Sequence, residues 1–236
     1  MEKNISLSIV IPCFNENDNI PILLEKFDQV MEPDIDIEVV LVENGSTDDS
    51  ATTIQKLLPK YRFARVVTVE VNQGYGYGIL RGLETCKSEY IGWTHADLQT
   101  DPKDVINAYH HLQHGNIFVK GNRKNRSVFD QFFTTGMSIF ETLLLRVRLS
   151  DINGQPNIFP RTFYEKWQSP PNDFSLDLYA FYQARKMKMD VIRLDVQFPN
   201  RINGESKWNN EGMKSKIKFI KRTVSFSLEL KRRGIR

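Results

Sequence analysis

The chain has 236 residues, of which 40% are hydrophobic, 11% aromatic and 26% charged, a globular composition that excludes a globally disordered or fibrous chain. A formal net charge of +3 is too small to mark a nucleic-acid binder, and two cysteines, Cys13 and Cys86, are too few for a disulfide framework and point to a reducing compartment. No secretory leader opens the chain and no apolar run approaches the roughly 18 residues of a membrane span, so the expectation is a cytoplasmic protein, peripheral to a membrane at most.

In chain order, residues 7–12 predict a strand rich in β-branched side chains, and Asn15, Glu16, Asn17 and Asp18 a loop and cap before an amphipathic helix to about Met31. A second strand over 37–42 ends at Glu43 and Asn44. A helix follows it, capped by Ser or Thr, with Asp48 and Asp49 placed in its first turn to complement the helix dipole. A third strand over 64–71 leads to Gly74, Gly76 and Gly78 and a helix to about Cys86. Those glycines do not spell the dinucleotide fingerprint: the spacing differs, they follow the third strand, and no acid ends the next one. They allow instead a close backbone approach to a ligand, or a tight turn. Strands and helices alternating at this spacing imply an α/β fold, a parallel sheet covered on both faces.

The stretch at 91–102 carries the densest chemistry. An apolar strand over 90–93 feeds into His95, Asp97 and Gln99, which strand alternation aims to one side. At the carboxyl end of a strand in an open α/β sheet, such a cluster lies where ligands bind. Its oxygens suit a hard divalent cation such as Mg2+ or Mn2+, with one carboxylate sufficient if substrate phosphates complete the shell. Asp101, followed by Pro102 and Asp104, reads instead as an ordinary helix cap.

A further strand over 117–120 delivers Gly121, Asn122, Arg123 and then Arg126. The helix predicted over 129–147 is apolar at helical spacing, either to pack in the core or to meet a greasy ligand or membrane surface. Asp151 opens a polar turn, Arg161 a short helix, and Asp177 sits in an apolar helix over 175–187, where function is preferred to a snorkelling acid. A strand over 191–198 precedes a polar loop with Arg201, Ser206 and Lys207. A basic amphipathic helix over 211–236 closes the chain, its apolar stripe carried by Met213, Ile217, Ile220, Val224 and Leu228. It can pack on its own domain or lie on an anionic leaflet; nucleic acid is disfavoured because no aromatic residues interleave the charges.

The runs SIVIPCFNE (8–16), VLVENGSTDDS (40–50) and NQGYGYGILRGLETCKSEYIGWTHADLQTDP (72–102) resemble glycosyltransferase family 2. With GNR (121–123), DINGQPNIFPR (151–161) and RINGESKW (201–208), they resemble especially its dolichol- and polyprenyl-phosphate sugar transferases. The resemblance implies a GT-A, Rossmann-like single domain over 1–208, divided near 100 into nucleotide-binding and acceptor-side halves, with 209–236 as an appended helix. It implies inverting transfer of a sugar from a nucleotide-diphosphate donor with Mg2+ or Mn2+. Pro12, Asn15 and Glu16 match nucleotide-pocket positions, joined by Gly74, while Glu43 and Asn44 replace the usual aspartate pair. His95 stands where the first carboxylate of the D-x-D motif is expected, Asp97 matches the second, and Gln99 the glutamine that follows.

The acceptor is then a polyprenyl phosphate, whose ionised oxygen needs no base, held by Arg123, Arg126, Arg201, Ser206 and Lys207. A saccharide hydroxyl would require Asp151 or Asp177 as base. A membrane surface, or a membrane-spanning partner protein, is an expected neighbour. Two rivals are a catalytically silent nucleotide-sugar-binding protein, suggested by His95, and a nucleotidyltransferase, which would need a glycine-rich, arginine-containing loop where this chain reads PCFNEND.

Overall fold

The computed structural model describes residues 5–112, 115–125, 128–199, 201 and 212–234. In order these form β1 (Ser6–Cys13), α1 (Asn19–Val30), β2 (Asp36–Asn44), α2 (Ser50–Leu57) with a 3-10 turn (Leu58–Lys60), and β3 (Ala64–Val69). Then come α3 (Tyr75–Leu83), β4 (Tyr90–Trp93), α4 (Pro102–Tyr109), β5 (Ile117–Lys124), α5 (Val128–Leu145) and β6 (Asn157–Pro160). The last elements are α6 (Arg161–Tyr164), α7 (Leu176–Lys186), β7 (Asp190–Gln197) and α8 (Gly212–Gly234). The sheet has seven strands in the order β3-β2-β1-β4-β6-β5-β7. β6 runs antiparallel to both β4 and β5, and the other pairings are parallel.

Strand periodicity divides the core into two layers. Val10, Val40, Val42, Ile91, Trp93 and Phe159 face one layer, which α3 and α7 cover; Ile9, Ile11, Val39, Leu41, Tyr90 and Ile158 face the other, covered by α1 and α4. Near-continuous apolar strands are what a sheet buried on both faces requires, and each such side chain contributes about 1.5–3 kcal/mol on burial.

Several boundaries differ from the sequence expectation. β5 runs on to Lys124, so Gly121, Asn122 and Arg123 are strand residues, because β7 pairs with them throughout. α2 starts at Ser50 with no acid in its first turn. Asp48 lies before the helix, where it accepts from Ser50 N at 3.0 Å. Part of the α5 face stays out of the core: Phe132 is 80% and Leu143 75% exposed, while Leu145 is buried and the Phe129 and Phe133 side chains lie outside the described residues. α8 packs on α5 with Ser227 beside Glu141; Ser227 and Leu230 are buried, while Leu228 of the expected stripe is 43% exposed. The buried line of α8 is therefore rotated from the most apolar one, and Met213 and Ile217 lie outside the described side chains. Asp101 caps α4 as expected, accepting from Lys103 N at 2.9 Å. Cys13 and Cys86 are buried and free. No described helix is long and apolar enough to cross a membrane.

Candidate active site at the carboxyl edge of the sheet

The loops after β1 and β2 are laced together. Asn15 takes a left-handed backbone (φ 57°), a conformation Asn tolerates because its short amide bonds locally. Its N–H donates to Ser46 Oγ at 3.2 Å, its Nδ2 to Thr47 Oγ1 at 3.1 Å, and its Oδ1 accepts from Thr47 N at 2.8 Å. Glu16 N donates to Ser50 Oγ at 2.9 Å and Asn17 N to Asp48 Oδ2 at 3.3 Å. Asn15, Glu16, Asn17, Thr47 and Asp48 line the resulting cleft of about 490 Å³. Pro12 is the last but one residue of β1, opposite Val42.

Glu43 and Asn44 are the last residues of β2 and both are buried. Glu43 accepts from Ser46 N at 2.6 Å, closing the turn; Asn44 Nδ2 donates to Gly74 O at 3.2 Å. The glycine run is thus a site of close approach, but to the protein itself. A Cβ on Gly76 would lie 2.6 Å from the carbonyl oxygen of Asp173, and one on Gly78 2.7 Å from Asn44 Nδ2. Gly74 itself takes φ 117°, a backbone that a side chain would strain.

The alternation expected of His95, Asp97 and Gln99 ends with the strand at Trp93, and Leu98 adopts φ 59°. His95 turns to the ring of Tyr75, centroids 5.7 Å apart, and Tyr75 stacks in turn on Phe174. Asp97 is buried. Its Oδ1 accepts from Gln99 N at 3.1 Å, and its Oδ2 meets Arg201 Nη2 at 2.7 Å. Gln99 Oε1 accepts from Arg201 Nε at 3.3 Å, while its Nε2 donates to Pro199 O at 2.9 Å. A carboxylate and an amide oxygen therefore converge on a single cation, here a guanidinium. That donor set suits a hard divalent ion that keeps water and phosphate ligands. No three His, Cys, Asp or Glu side chains gather as a metal cluster among the described residues, so His95 does not complete such a group. Burial pushes the Glu16 carboxyl above its ordinary value; Asn19 opposes this, Asp97 adds to it and Arg201 opposes it. The cleft and the Asp97 centre thus share one electrostatic site.

On the far side of the sheet, Arg123 is paired rather than free. Its Nε donates to Asp151 Oδ1 at 2.9 Å and its backbone N–H to Oδ2 at 2.7 Å. Burial alone would raise Asp151, but Arg123 outweighs it and holds the carboxyl below the usual range. Phe198 lies under the Arg123 guanidinium at 5.1 Å. Arg123, Lys124 and Arg148 open a groove of about 580 Å³ walled by Thr134, Ser138, Ile139 and Leu143 of α5. Asp177 is 2% exposed and accepts from Asn157 Nδ2 at 2.8 Å and Trp93 Nε1 at 3.3 Å. It belongs to a buried network with Lys120, whose Nζ donates to Asn157 Oδ1 at 2.6 Å and Gly154 O at 3.0 Å. Burial pulls that ammonium down to about 7, against the pull of Asp177. Sequence reasoning missed Lys120, Asn157 and Arg148; a lysine ending the apolar run 117–119 was the available signal for the first. Arg126, Ser206 and Lys207 lie outside the described residues.

An open, mostly parallel sheet with its polar site at the carboxyl edge, beside a switch in strand order, has the layout of a nucleotide-binding α/β protein. Solved structures define the class as GT-A. A mannosyltransferase from Pyrobaculum calidifontis, in complex with GDP-Man and Mn2+, superposes with a TM-score of 0.66 at 17% identity, covering 86% of this chain and 59% of that one. Glucosyl-3-phosphoglycerate synthase from Mycobacterium tuberculosis, in complex with Mn2+, UDP and glucosyl-3-phosphoglycerate, gives 0.68 at 17% identity, covering 96% of this chain and 79% of that one. Residues 8–181 match the model described as Glycosyl transferase family 2, and the chain belongs to that family. An undecaprenyl-phosphate 4-deoxy-4-formamido-L-arabinose transferase of Pseudomonas syringae is 33% identical over 123 residues, 51% of this chain and 36% of that protein. A dodecaprenyl-phosphate galacturonate synthase of Rhizobium johnstonii is 31% identical over 127 residues, 52% and 38%. The match thus spans little more than a third of these curated relatives.

Proposed function

We propose that this chain is an inverting, metal-dependent glycosyltransferase that moves a sugar from a nucleotide diphosphate to a polyprenyl phosphate at a membrane surface. The observation that carries the reading is the convergence of Asp97 and Gln99 oxygens on one cation at the end of β4. Asp97 and Gln99 would hold Mn2+ or Mg2+ there, and the ion, when bound, neutralises charge building on the departing diphosphate. Asn15, Glu16 and Glu43, with Pro12 near the end of β1, shape the side that takes the nucleoside; Asn44 and Gly74 brace its wall. The names of the two curated relatives and the ligands of the two solved structures support a nucleotide-sugar donor and a lipid-phosphate acceptor.

The carboxylates support the lipid phosphate over a saccharide hydroxyl. A hydroxyl needs a general base within reach, yet Asp151 is tied to Arg123 and Asp177 is sealed beneath Trp93 and Asn157. A phosphate oxygen is already ionised and needs cations instead. Arg148 supplies one at the mouth of a groove whose outer wall is the uncovered apolar face of α5, with Lys124 exposed beside it on a surface pair with Asp195 and Arg123 held by Asp151. That face would rest on the leaflet that presents the lipid.

A thermal-shift panel of UDP and GDP sugars with Mn2+ tests the donor side, since a specific ligand raises the melting temperature by mass action. At least one donor should shift the wild type and not Asp97→Ala. A panel that leaves both unmoved overturns the reading. Transfer to undecaprenyl phosphate in detergent, with no transfer to free saccharides, is the expected acceptor result.

A further inference from the structure

Arg201 uses both oxygen donors that a divalent ion would need. Asp97 Oδ2 and Gln99 Oε1 are engaged by Nη2 and Nε of the same guanidinium, at 2.7 and 3.3 Å. Gln99 also binds the backbone two residues before Arg201, through Pro199 O at 2.9 Å, so the approach of the arginine and the orientation of the amide are set together. The Asp97 side chain is 7% and that of Arg201 29% exposed, so the pair is partly withdrawn from water and stronger than a fully exposed salt bridge. While paired, the two side chains sum to no net charge. A free dication meets a neutralised site.

We infer that Arg201 is a built-in competitor of the divalent cation, so that the metal is accepted only together with a nucleotide diphosphate. The pyrophosphate offers the guanidinium a bidentate partner of greater charge than one carboxylate. The arginine passes from Asp97 to phosphate as the metal takes over Asp97 and Gln99. No covalent bond is made or broken in this exchange: the Arg201 hydrogen bonds to Asp97 and Gln99 are given up for phosphate, and charge is conserved. The inference rests on the proposed metal role of Asp97 and adds an order of binding to it. It also makes metal and nucleotide mutually reinforcing, since coupling between two ligands is reciprocal.

The test is a titration of Mn2+ followed by electron paramagnetic resonance, on the full chain, alone and with GDP or UDP. Wild type, Arg201→Gln, Arg201→Lys and Asp97→Asn are compared, with melting curves to confirm folding. Wild type should bind Mn2+ alone at least about tenfold more weakly than with the matching nucleotide. Arg201→Gln should bind Mn2+ alone at least about tenfold more tightly than wild type and lose most of the nucleotide's effect. Arg201→Lys, charged but without the fork, should fall between them. A folded Arg201→Gln that binds Mn2+ no more tightly than wild type overturns the competitor role and leaves the metal site standing. Mn2+ binding undiminished in Asp97→Asn, or absent from every arm, overturns both.

Discussion

The two halves of the sheet expose apolar side chains differently and put their buried acids, Glu43 and Asp97 in the first and Glu141 and Asp177 in the second, to different use. Before residue 110 the described chain exposes one large hydrophobic, Val71, and sets Glu16, Asp18, Asp48 and Asp49 around an open cleft. After it, Phe132, Ile139, Phe140 and Leu143 are exposed on α5, while Glu141 and Asp177 are buried and Asp151 nearly so. An exposed apolar helix face marks a surface that meets something other than water, and buried acids without solvent access are poor bases but firm structural ties. The first half is arranged to take a polar ligand. The second is arranged to hold itself together from within and to present grease outside.

If that contrast is sound, acids on the two sides should fail differently. Replacing Asp177 by Leu strips the acceptor from Asn157 and Trp93 and removes the carboxylate that supports the Lys120 ammonium. Removing one member of a buried charged network costs about 3 to 5 kcal/mol, which urea unfolding should register. A stable variant with abolished turnover would instead make Asp177 a catalytic base. Asp97→Ala should show the reverse pattern. Loss of a main electrostatic stabiliser costs at least about a hundredfold in rate, with melting changed far less than in the Asp177 variant. Unimpaired transfer would remove Asp97 from the mechanism.

How much of this was legible in the sequence follows from the range of the interactions. Local periodicity located β1, β2 and β4, and the Asp-Pro pair at 101–102 located the cap of α4, because strand and cap signals span a few residues. The glycines at 74–78 read as a close approach to a ligand, yet Gly74 and Gly76 approach Asn172 and Asp173, about a hundred residues on, and Gly78 approaches Asn44. Pairings of that kind leave no local trace. Arg201 was singled out as a phosphate binder, but its contact with Asp97 spans a similar distance along the chain. Alternation failed at His95 because the strand stops at Trp93, where the loop turns over a left-handed Leu98. On α8 the most apolar stripe was a poor guide to the buried one, since the helix packs Ser227 and Leu230 inward and leaves Leu228 out.

The apolar side of the contrast can be broken on α5. Phe132→Ser combined with Leu143→Ser removes two side chains that are 80% and 75% exposed, so stability should change by less than about 0.5 kcal/mol. Sedimentation with anionic liposomes should nevertheless drop several-fold, because interfacial binding scales with the apolar area inserted. Equal sedimentation of variant and wild type would mean that this face is not what meets the bilayer.

The sealed side of the contrast can be tested by pH at the seam between α5 and α8. Burial pushes the Glu141 carboxyl from 4.5 up to about 7, with the Ser227 hydroxyl working the other way. Between those two values the folded chain holds a proton that the unfolded chain has released, so stability must fall as pH rises through that window. The contribution is present in full below 4.5 and gone above about 7. Urea unfolding at pH 5 and pH 8 should therefore show a larger loss in wild type than in Glu141→Gln, whose amide does not titrate. Identical losses would mean that Glu141 is ionised throughout, in which case the seam must admit water and the second half is less sealed than its contacts imply.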